Sequence, residues 1–351
     1  MGAAGLPFVA VRAGKFRRMH GASALAKLTD LSTLGPNARD AVRVVHGLAT
    51  SLKILRRFRP DVVFLKGGYV CLPVGLAARL LKIPYVIHES DMAPGLTNRV
   101  LARWAERIAV GFPVKGYRDW PLSKLVFTGN PVRPEILRAH RLEGLAAFKL
   151  TPELPVVLVT GGSQGAREIN ELVLDALPDL LNKYQVVHQT GEGEYDRLLF
   201  ELGRRQALAH PERYHPQPFI MKEMPAALAA ADVVVGRAGA QTIAELAVLS
   251  KPTILIPNTG MAGHQQENAK VLARAGAVRV LDGQRARPAQ LVGEIKRILD
   301  DPAEQGRLGK ALAGFGRPAA AQELAEVILE VGRMHQPAGG DGHDDSDEVA
   351  A

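Results

Sequence analysis

The residues best placed for chemistry are glycines and small polar side chains that follow an apolar run. Val156–Val159 is that run, and Gly161-Gly162-Ser163-Gln164-Gly165-Ala166-Arg167 follows it at the start of an amphipathic helical pattern. Glycines at such a turn let backbone N–H groups converge on an anion, and the helix dipole favours negative charge there by about 0.3–1 kcal/mol. The turn matches neither a Walker loop nor a dinucleotide fingerprint. It therefore predicts a phosphate site, with tight packing of strand against helix as the alternative.

A second glycine turn follows the apolar run Asp232–Val235. Gly236-Arg237-Ala238-Gly239-Ala240-Gln241-Thr242 opens another helical pattern, and Glu245 lies three residues after Thr242 on the same face. A carboxylate there could accept hydrogen bonds from both hydroxyls of a ribose. Glu245 is therefore a candidate ribose ligand. The alternative is an acid that merely complements the dipole of its own helix.

A third motif is rich in amides and follows the run Pro252–Ile256. In His264-Gln265-Gln266-Glu267-Asn268, the amides of Gln265 and Asn268 are three residues apart at a helix start, which suits sugar hydroxyls. Polar amides are common in loops, so their position carries more weight than their type. Because ligands bind at the carboxyl ends of parallel strands, we expect all three motifs to converge along one edge of one sheet.

The elements that position these motifs follow an alternating pattern. Short β-branched runs alternate with helical stretches, which predicts an α/β protein with parallel sheets and right-handed crossovers. The predicted strands are Asp61–Leu65, Pro84–His88, Arg107–Val110, Pro155–Thr160, Tyr184–Gln189, Asp232–Val235 and Pro252–Ile256. Two prolines and a glycine in Gly129–Pro134 indicate a domain junction. We therefore predict domains at 1–134 and 135–334, with the last helix free to return to the first domain, and a disordered acidic tail at 335–351.

Composition and charge limit the functional class. Of 351 residues, 47% are hydrophobic and 23% charged, and the single cysteine, Cys71, excludes a disulfide within the chain and fits a reducing cytoplasm. No apolar run approaches the length of a membrane span, and the N-terminus lacks a signal-peptide pattern. Residues 1–60 contain eleven Lys and Arg against two acids. This surplus predicts an anionic membrane surface or a phosphate-bearing substrate ahead of nucleic acid, with a solvated basic face as the alternative.

Taken together, the motifs resemble the MurG-type N-acetylglucosaminyltransferases of peptidoglycan synthesis over about residues 5–330. Asn170 and four further segments add to the resemblance: Gly67-Gly68-Tyr69-Val70, His88-Glu89, Gly95-Leu96-Thr97-Asn98 and Gly129-Asn130-Pro131-Val132-Arg133. The resemblance implies a GT-B fold of two doubly wound, Rossmann-like domains with parallel sheets facing across a cleft. It also implies transfer of N-acetylglucosamine from UDP-N-acetylglucosamine to undecaprenyl-linked lipid I, giving lipid II. That transfer would invert the anomeric centre without a cofactor or required metal, on the cytoplasmic face of the cell membrane.

The resemblance also assigns roles to individual residues. On the donor side these are Ser163 with Gly161, Gly162, Gln164 and Gly165 for the diphosphate, Arg133 for the nucleotide and phosphate region, Ile220 for the uracil pocket wall, Ala240, Gln241 and Thr242 for the uridine, Glu245 for the ribose, and His264, Gln265 and Asn268 for the sugar. On the acceptor side they are Gly67, Gly68, Tyr69 and Asn98. The candidates for the catalytic base are His88, Glu89 and Asp91.

An undecaprenyl substrate implies a peripheral contact with the membrane, and each basic residue near an anionic leaflet adds about 1 kcal/mol. The candidate attachment residues are Lys15, Arg17, Arg18, Arg56, Arg57, Arg59, Arg99 and Arg103.

The chain departs from the family pattern in two places. The family begins with a strand, a turn ending Gly-Gly-His and a helix, whereas this chain begins near Gly5-Leu6-Pro7-Phe8. We expect a fragment or a mis-started reading frame, with a natural variant of altered chemistry as the alternative. Ser90-Asp91 also replaces the Gln-Asn of many members. Competing functions are another GT-B enzyme, such as a UDP-N-acetylglucosamine 2-epimerase or a glycolipid glycosyltransferase, and a catalytically dead UDP-sugar-binding protein.

Overall fold

The computed structural model describes residue 5 and residues 7–14, 31–162, 164–205, 208–258 and 263–335, with 31–38 described by their backbone alone. Ser163, the basic residues Lys15, Arg17 and Arg18, and the predicted tail beyond residue 335 lie outside these ranges. As far as it is described, the chain divides into two compact units. Unit 1 comprises 1–88, 95–109 and 324–351, and unit 2 comprises 89–94 and 110–323. The boundary near residue 134 stays a prediction.

The first half of the chain carries a four-stranded sheet in the order β1-β2-β3-β4. Its elements are α1 (Leu31–Phe58), β1 (Val63–Leu65), α2 (Cys71–Leu80), β2 (Tyr85–Glu89), α3 (Leu96–Leu101), β3 (Arg107–Val110), β4 (Leu125–Phe127), α4 (Pro134–Arg138) and α5 (Arg141–Ala147). β1 and β2 pair in parallel, with Val63 opposite Tyr85. All five residues of β2 are buried, as expected for a strand covered on both faces.

Unit 2 contains a six-stranded sheet in the order β10-β9-β8-β5-β6-β7, and every adjacent pair is parallel. Its elements are β5 (Val156–Thr160), α6 (Arg167–Leu180), β6 (Gln185–Gln189), α7 (Glu192–Arg204), β7 (Tyr214–Gln217), α8 (Met224–Ala230), β8 (Val233–Gly236), α9 (Ala240–Val248), β9 (Thr253–Leu255), α10 (His264–Arg274), β10 (Arg279–Val280), α11 (Pro288–Leu299) and α12 (Pro302–Ala313). The last helix is α13 (Ala320–Met334).

Helix α6 is held against the sheet by one apolar face. Ile169, Val173, Ala176, Leu177 and Leu180 recur at helical spacing and are completely shielded from solvent. Burying a large aliphatic side chain contributes about 1.5–3 kcal/mol. This packing fixes the amino end of α6 beside the end of β5, which is the position that the glycine turn requires.

All seven predicted strands are present, so the predicted α/β class with parallel sheets is confirmed. Three further strands, β4, β7 and β10, were not predicted. Each is short, β7 contains Pro216, and β7 and β10 are the edges of their sheet. Proline has no N–H to donate to a neighbouring strand, so it is tolerated at the edge of a sheet. A short edge strand that contains proline lacks the continuous apolar run by which the other strands were predicted. Within the described ranges, no helix is long and apolar enough to cross a membrane.

Candidate functional site

The strands of unit 2 end level with one another, which brings their turns together. Leu255, Gly236, Thr160, Gln189 and Gln217 are successive register partners across β9, β8, β5, β6 and β7. β5, β8 and β9 are neighbours, and each of the three motifs follows one of these strands. The prediction that the motifs share one edge of one sheet is therefore confirmed.

The first glycine turn leads into the uncapped amino end of α6. Gly162 and Gly165 have φ values of +86° and +74°, a region that favours glycine. Ala166 occupies the N-cap and provides no side-chain hydrogen bond. The first N–H groups of a helix have no intrahelical acceptor, so this end of α6 is suited to an anion. Ser163 lies outside the described residues, and Gln164 is exposed beside it in sequence.

The same turn is also tightly packed. The interpretation of its glycines as a phosphate site and their interpretation as a packing requirement are therefore compatible. A Cβ on Gly161 would lie 2.4 Å from the backbone nitrogen of Ala166. A Cβ on Gly165 would lie 2.0 Å from the carbonyl oxygen of Thr190. The backbone after β5 and the backbone after β6 therefore approach each other more closely than any side chain permits.

A buried polar network under the turn was not predicted. Asn170 Nδ2 donates to the Thr190 carbonyl over 2.9 Å, and Asn170 Oδ1 lies 3.1 Å from His188 Nε2. His188 Nδ1 lies 2.9 Å from the Tyr214 hydroxyl. Because an amide oxygen only accepts, His188 donates through Nε2 and accepts through Nδ1. The sequence signal is the polar trio His188-Gln189-Thr190 directly after Val186 and Val187.

This network makes a pH dependence of stability testable. Burial lowers the pKa of His188 to about 3, against 6.5 for an ordinary histidine. Between these values the unfolded chain binds the extra proton, so stability is complete above pH 6.5 and is lost as the pH falls. The expected slope is about 1.4 kcal/mol per pH unit for one proton. In urea unfolding between pH 6 and pH 4, the loss of stability per pH unit should be greater in the parent than in His188→Gln by about this amount. Equal slopes in the parent and in His188→Gln would contradict the lowered pKa of His188.

The second motif ties the segment before α4 to the start of α9. Glu245 has a side chain only 12% exposed, and its Oε1 lies 3.4 Å from Arg133 Nε. Gln241 Nε2 donates to the Pro131 carbonyl over 3.0 Å. Burial raises the pKa of Glu245, and the guanidinium of Arg133 opposes that shift. Ala240, Gln241, Thr242, Glu245 and Arg133 thus lie on adjoining elements.

The third motif holds the segment 89–94 against α10. Asn268 is completely buried, and its Oδ1 accepts a hydrogen bond from the Met92 N–H over 2.8 Å. Its Nδ2 donates to Asp91 Oδ1 over 2.8 Å and to the Ala238 carbonyl over 3.1 Å. His264 Nδ1 donates to the Ala93 carbonyl over 2.8 Å. The amide of Asn268 therefore orients Asp91, and its contact with a sugar stays a prediction.

Two other predicted residues have defined partners in unit 2. Gln265 Oε1 accepts from the Asn258 N–H over 2.9 Å. Ile220 is 4% exposed and donates its backbone N–H to Gln189 Oε1 over 3.0 Å. Both residues lie in segments that follow strand ends of the six-stranded sheet, so they border the same edge as the glycine turns.

The three candidate bases differ in accessibility. His88 is completely buried and Glu89 is 5% exposed, whereas Asp91 is half-buried. Glu89 Oε1 accepts from the Asp91 N–H over 3.1 Å, and the Asp91 carbonyl accepts from the Tyr117 hydroxyl over 3.0 Å. His88 Nδ1 lies 2.8 Å from Lys66 Nζ and accepts from that ammonium group. Asp91 is thus the carboxylate best placed to reach a bound molecule.

The predicted acceptor-side residues lie together in unit 1. Gly67 and Gly68 have φ values of +94° and +80° at the end of β1, and Tyr69 is 47% exposed. Asn98 Nδ2 donates to the His88 carbonyl over 3.2 Å and lies 3.0 Å from the position of a Cβ on Gly67. The turn after β1 therefore packs against Asn98 of α3.

The chain has the GT-B fold of glycosyltransferases, built on two parallel α/β sheets, one of which carries glycine turns along its carboxyl edge. A crystal structure of Acinetobacter baumannii MurG is similar, with a TM-score of 0.67 and 27% identity, covering 83% of this chain and 80% of that one. The Neisseria meningitidis UDP-GlcNAc 2-epimerase bound to UDP-GlcNAc shares the fold alone, with a TM-score of 0.60 and 14% identity over 82% of this chain and 81% of that one.

Family models extend this similarity to the sequence. The glycosyltransferase family 28 N-terminal domain matches residues 3–110, and the family 28 C-terminal domain matches residues 156–324. The UDP-N-acetylglucosamine--N-acetylmuramyl-(pentapeptide) pyrophosphoryl-undecaprenol N-acetylglucosamine transferase of Halalkalibacterium halodurans is 38% identical over 85% of this chain and 81% of its own. The chain belongs to glycosyltransferase family 28.

Proposed function

We propose that this protein transfers N-acetylglucosamine from UDP-N-acetylglucosamine to the 4-hydroxyl of the muramoyl sugar of lipid I, giving lipid II. The observation that carries the proposal is the alignment of the carboxyl ends of neighbouring strands in unit 2. Because Thr160 is the register partner of Gly236, the glycine turn after β5 lies beside the start of α9, the helix that contains Glu245. A diphosphate at the turn and a ribose at Glu245 would place the donor sugar toward α10. The 38% identity to a transferase named for this reaction supports the choice of substrates.

Each part of the site has a role in this reaction. Negative charge that grows on the departing UDP is stabilised by Arg133, by the backbone N–H groups of the glycine turn and by the hydroxyl of Ser163. Ile220 forms part of the uracil pocket. His264 and Gln265 bind the sugar, Asn268 orients Asp91, and Asp91 takes the proton from the acceptor hydroxyl. Gly67, Gly68, Tyr69 and Asn98 bind the acceptor side.

The acceptor is a membrane lipid, so the protein acts at the membrane surface through its basic residues. Arg56 and Arg57 lie in the last turn of α1, and Arg59 follows that helix. Their proposed partner is an anionic leaflet, and the reaction requires no metal.

The direct test is incubation with labelled UDP-N-acetylglucosamine in the presence and absence of lipid I. We expect label in lipid II only when lipid I is present. Conversion of the donor to its mannosamine epimer without any acceptor would instead identify an epimerase. Tight donor binding with no turnover in either sample would identify a nucleotide-sugar-binding protein without transferase activity.

Removal of the Glu245 carboxylate tests the ribose site. Glu245→Ala is expected to weaken UDP binding by roughly 1.5–3 kcal/mol, the scale of hydrogen bonds to a charged group. Calorimetry should show that the loss is much smaller for 2′,3′-dideoxyuridine diphosphate, because that ligand lacks both hydroxyls. The matched control is Glu267→Ala, an acid in the first turn of α10 that pairs with Lys270 instead. An unchanged Kd for UDP in Glu245→Ala would refute the role.

A further inference from the structure

One buried side chain connects the glycine turn with the segment that contains Ile220. Gln189 is the last residue of β6 and is 2% exposed. Its Nε2 donates to the Gly162 carbonyl over 2.9 Å and lies 3.4 Å from Thr160 Oγ1. Its Oε1 accepts from the Ile220 N–H over 3.0 Å. A single amide at the end of β6 therefore contacts both the turn after β5 and the segment after β7.

The contact with Gly162 fixes the conformation of the glycine turn. The Gly162 carbonyl also accepts from the Gly165 N–H over 3.0 Å, and the Gly162 N–H donates to Thr160 Oγ1 over 3.2 Å. Gly162 has no side chain to restrict its backbone, so hydrogen bonds must hold its φ of +86°. Gln189 supplies one of these bonds from beneath the turn.

The chemistry of both contacts requires an amide. The bond to Gly162 needs a donor and the bond to Ile220 needs an acceptor, and only a side chain with both groups makes the two at once. An ionised carboxylate provides acceptors alone, and a thioether of similar size provides neither bond with comparable strength.

We infer that Gln189 is a positioning residue that fixes the distance between the diphosphate turn and the wall of the uracil pocket. It thereby favours a ligand that carries a uracil base and two phosphates together. The inference rests on the proposed donor site, and it adds a residue that does not itself touch the nucleotide. Its effect is expected on donor binding rather than on the chemical step, because both of its partners belong to the nucleotide end of the site.

The same strand offers a matched control at its opposite end. Gln185 is also 2% exposed, and its side-chain amide makes three hydrogen bonds, all of them with backbone groups. Its Oε1 accepts from the Thr151 N–H over 2.8 Å, and its Nε2 donates to the carbonyls of Thr151 and Leu154 over 2.8 and 3.1 Å. Loss of either amide should cost similar stability, but only Gln189 borders the turns that form the site.

The experiment compares Gln189→Met and Gln185→Met by thermal unfolding, calorimetry and steady-state kinetics. Gln189→Met is expected to bind UDP about tenfold more weakly, equivalent to about 1.4 kcal/mol. The KM for the donor should rise by a similar factor while kcat changes by less than about threefold. Gln185→Met should lose a comparable amount of Tm and keep its Kd for UDP within about twofold of the parent.

The relative affinities for UMP and UDP give a second readout. In the parent, the Kd for UMP divided by the Kd for UDP measures the contribution of the second phosphate. We expect this ratio to fall in Gln189→Met and to stay unchanged in Gln185→Met, because only the former misaligns the turn relative to the base. Gln189→Glu keeps an acceptor for Ile220 and loses the donor for Gly162, so it should show the same fall even if Gln189→Met folds poorly.

The outcomes separate the inference from the function on which it rests. A parent protein that does not bind UDP would overturn the proposed function and the inference with it. A parent that binds UDP, with an unchanged Kd and an unchanged UMP-to-UDP ratio in the Gln189 variants, would overturn the inference alone. An equal loss of UDP affinity in Gln185→Met would also overturn it, because the effect would then follow from stability.

Discussion

Asp91→Asn is expected to slow glycosyl transfer by about 10²–10⁴-fold, the usual contribution of a general base. The asparagine keeps the size of the side chain and an oxygen that can accept from Asn268 Nδ2, which lies 2.8 Å from Asp91 Oδ1. It has no carboxylate to take a proton. Donor binding should therefore be unchanged while kcat falls. A single-turnover assay with saturating UDP-N-acetylglucosamine and lipid I measures the chemical step directly.

A second aspartate separates the role of Asp91 from the general effect of exchanging a carboxylate for an amide. Asp119→Asn is the matched control, because it makes the same chemical change at an exposed position. A rate for Asp91→Asn within about threefold of the parent would move the role to another group. Glu89 would then be the next candidate to test by the same exchange.

Gly165→Ala is expected to destabilise unit 2 by about 2–4 kcal/mol and to abolish measurable donor binding. The residue has a φ of +74°, which strains any side chain. Its Cβ would also lie 2.0 Å from the Thr190 carbonyl oxygen, a distance that requires the backbone to move. The turn would shift away from β6, and its N–H groups would no longer converge on a phosphate.

Gly193→Ala is the control for the glycine substitution. Gly193 lies in α7 with nothing within 4 Å of a built Cβ, so alanine there should be neutral or stabilise the protein by about 0.4–1 kcal/mol. Chemical denaturation and UDP calorimetry on both variants distinguish the two positions. Normal stability and normal UDP affinity in Gly165→Ala would show that the close packing of the two turns is not needed.

Much of the fold was predictable because its signals are local. Continuous apolar runs such as Val156–Val159 mark strands covered on both faces, and a glycine turn after such a run marks the step into a helix. Edge strands carry weaker signals. The pattern did not predict β7, which contains Pro216 and no apolar run, or the two-residue β10.

The amino-acid sequence by itself determined the α/β class, the strand ends that carry the motifs, and the residue types able to bind phosphate, ribose and sugar. These depend on side-chain chemistry and on spacing within one element. Only the tertiary structure decided that Asn268 contacts Asp91, that His88 is buried against Lys66, and that Gln189 joins Gly162 to Ile220. Such contacts join residues 22 to 177 positions apart in the chain, and no local pattern records which side chains the folded backbone brings within hydrogen-bonding distance.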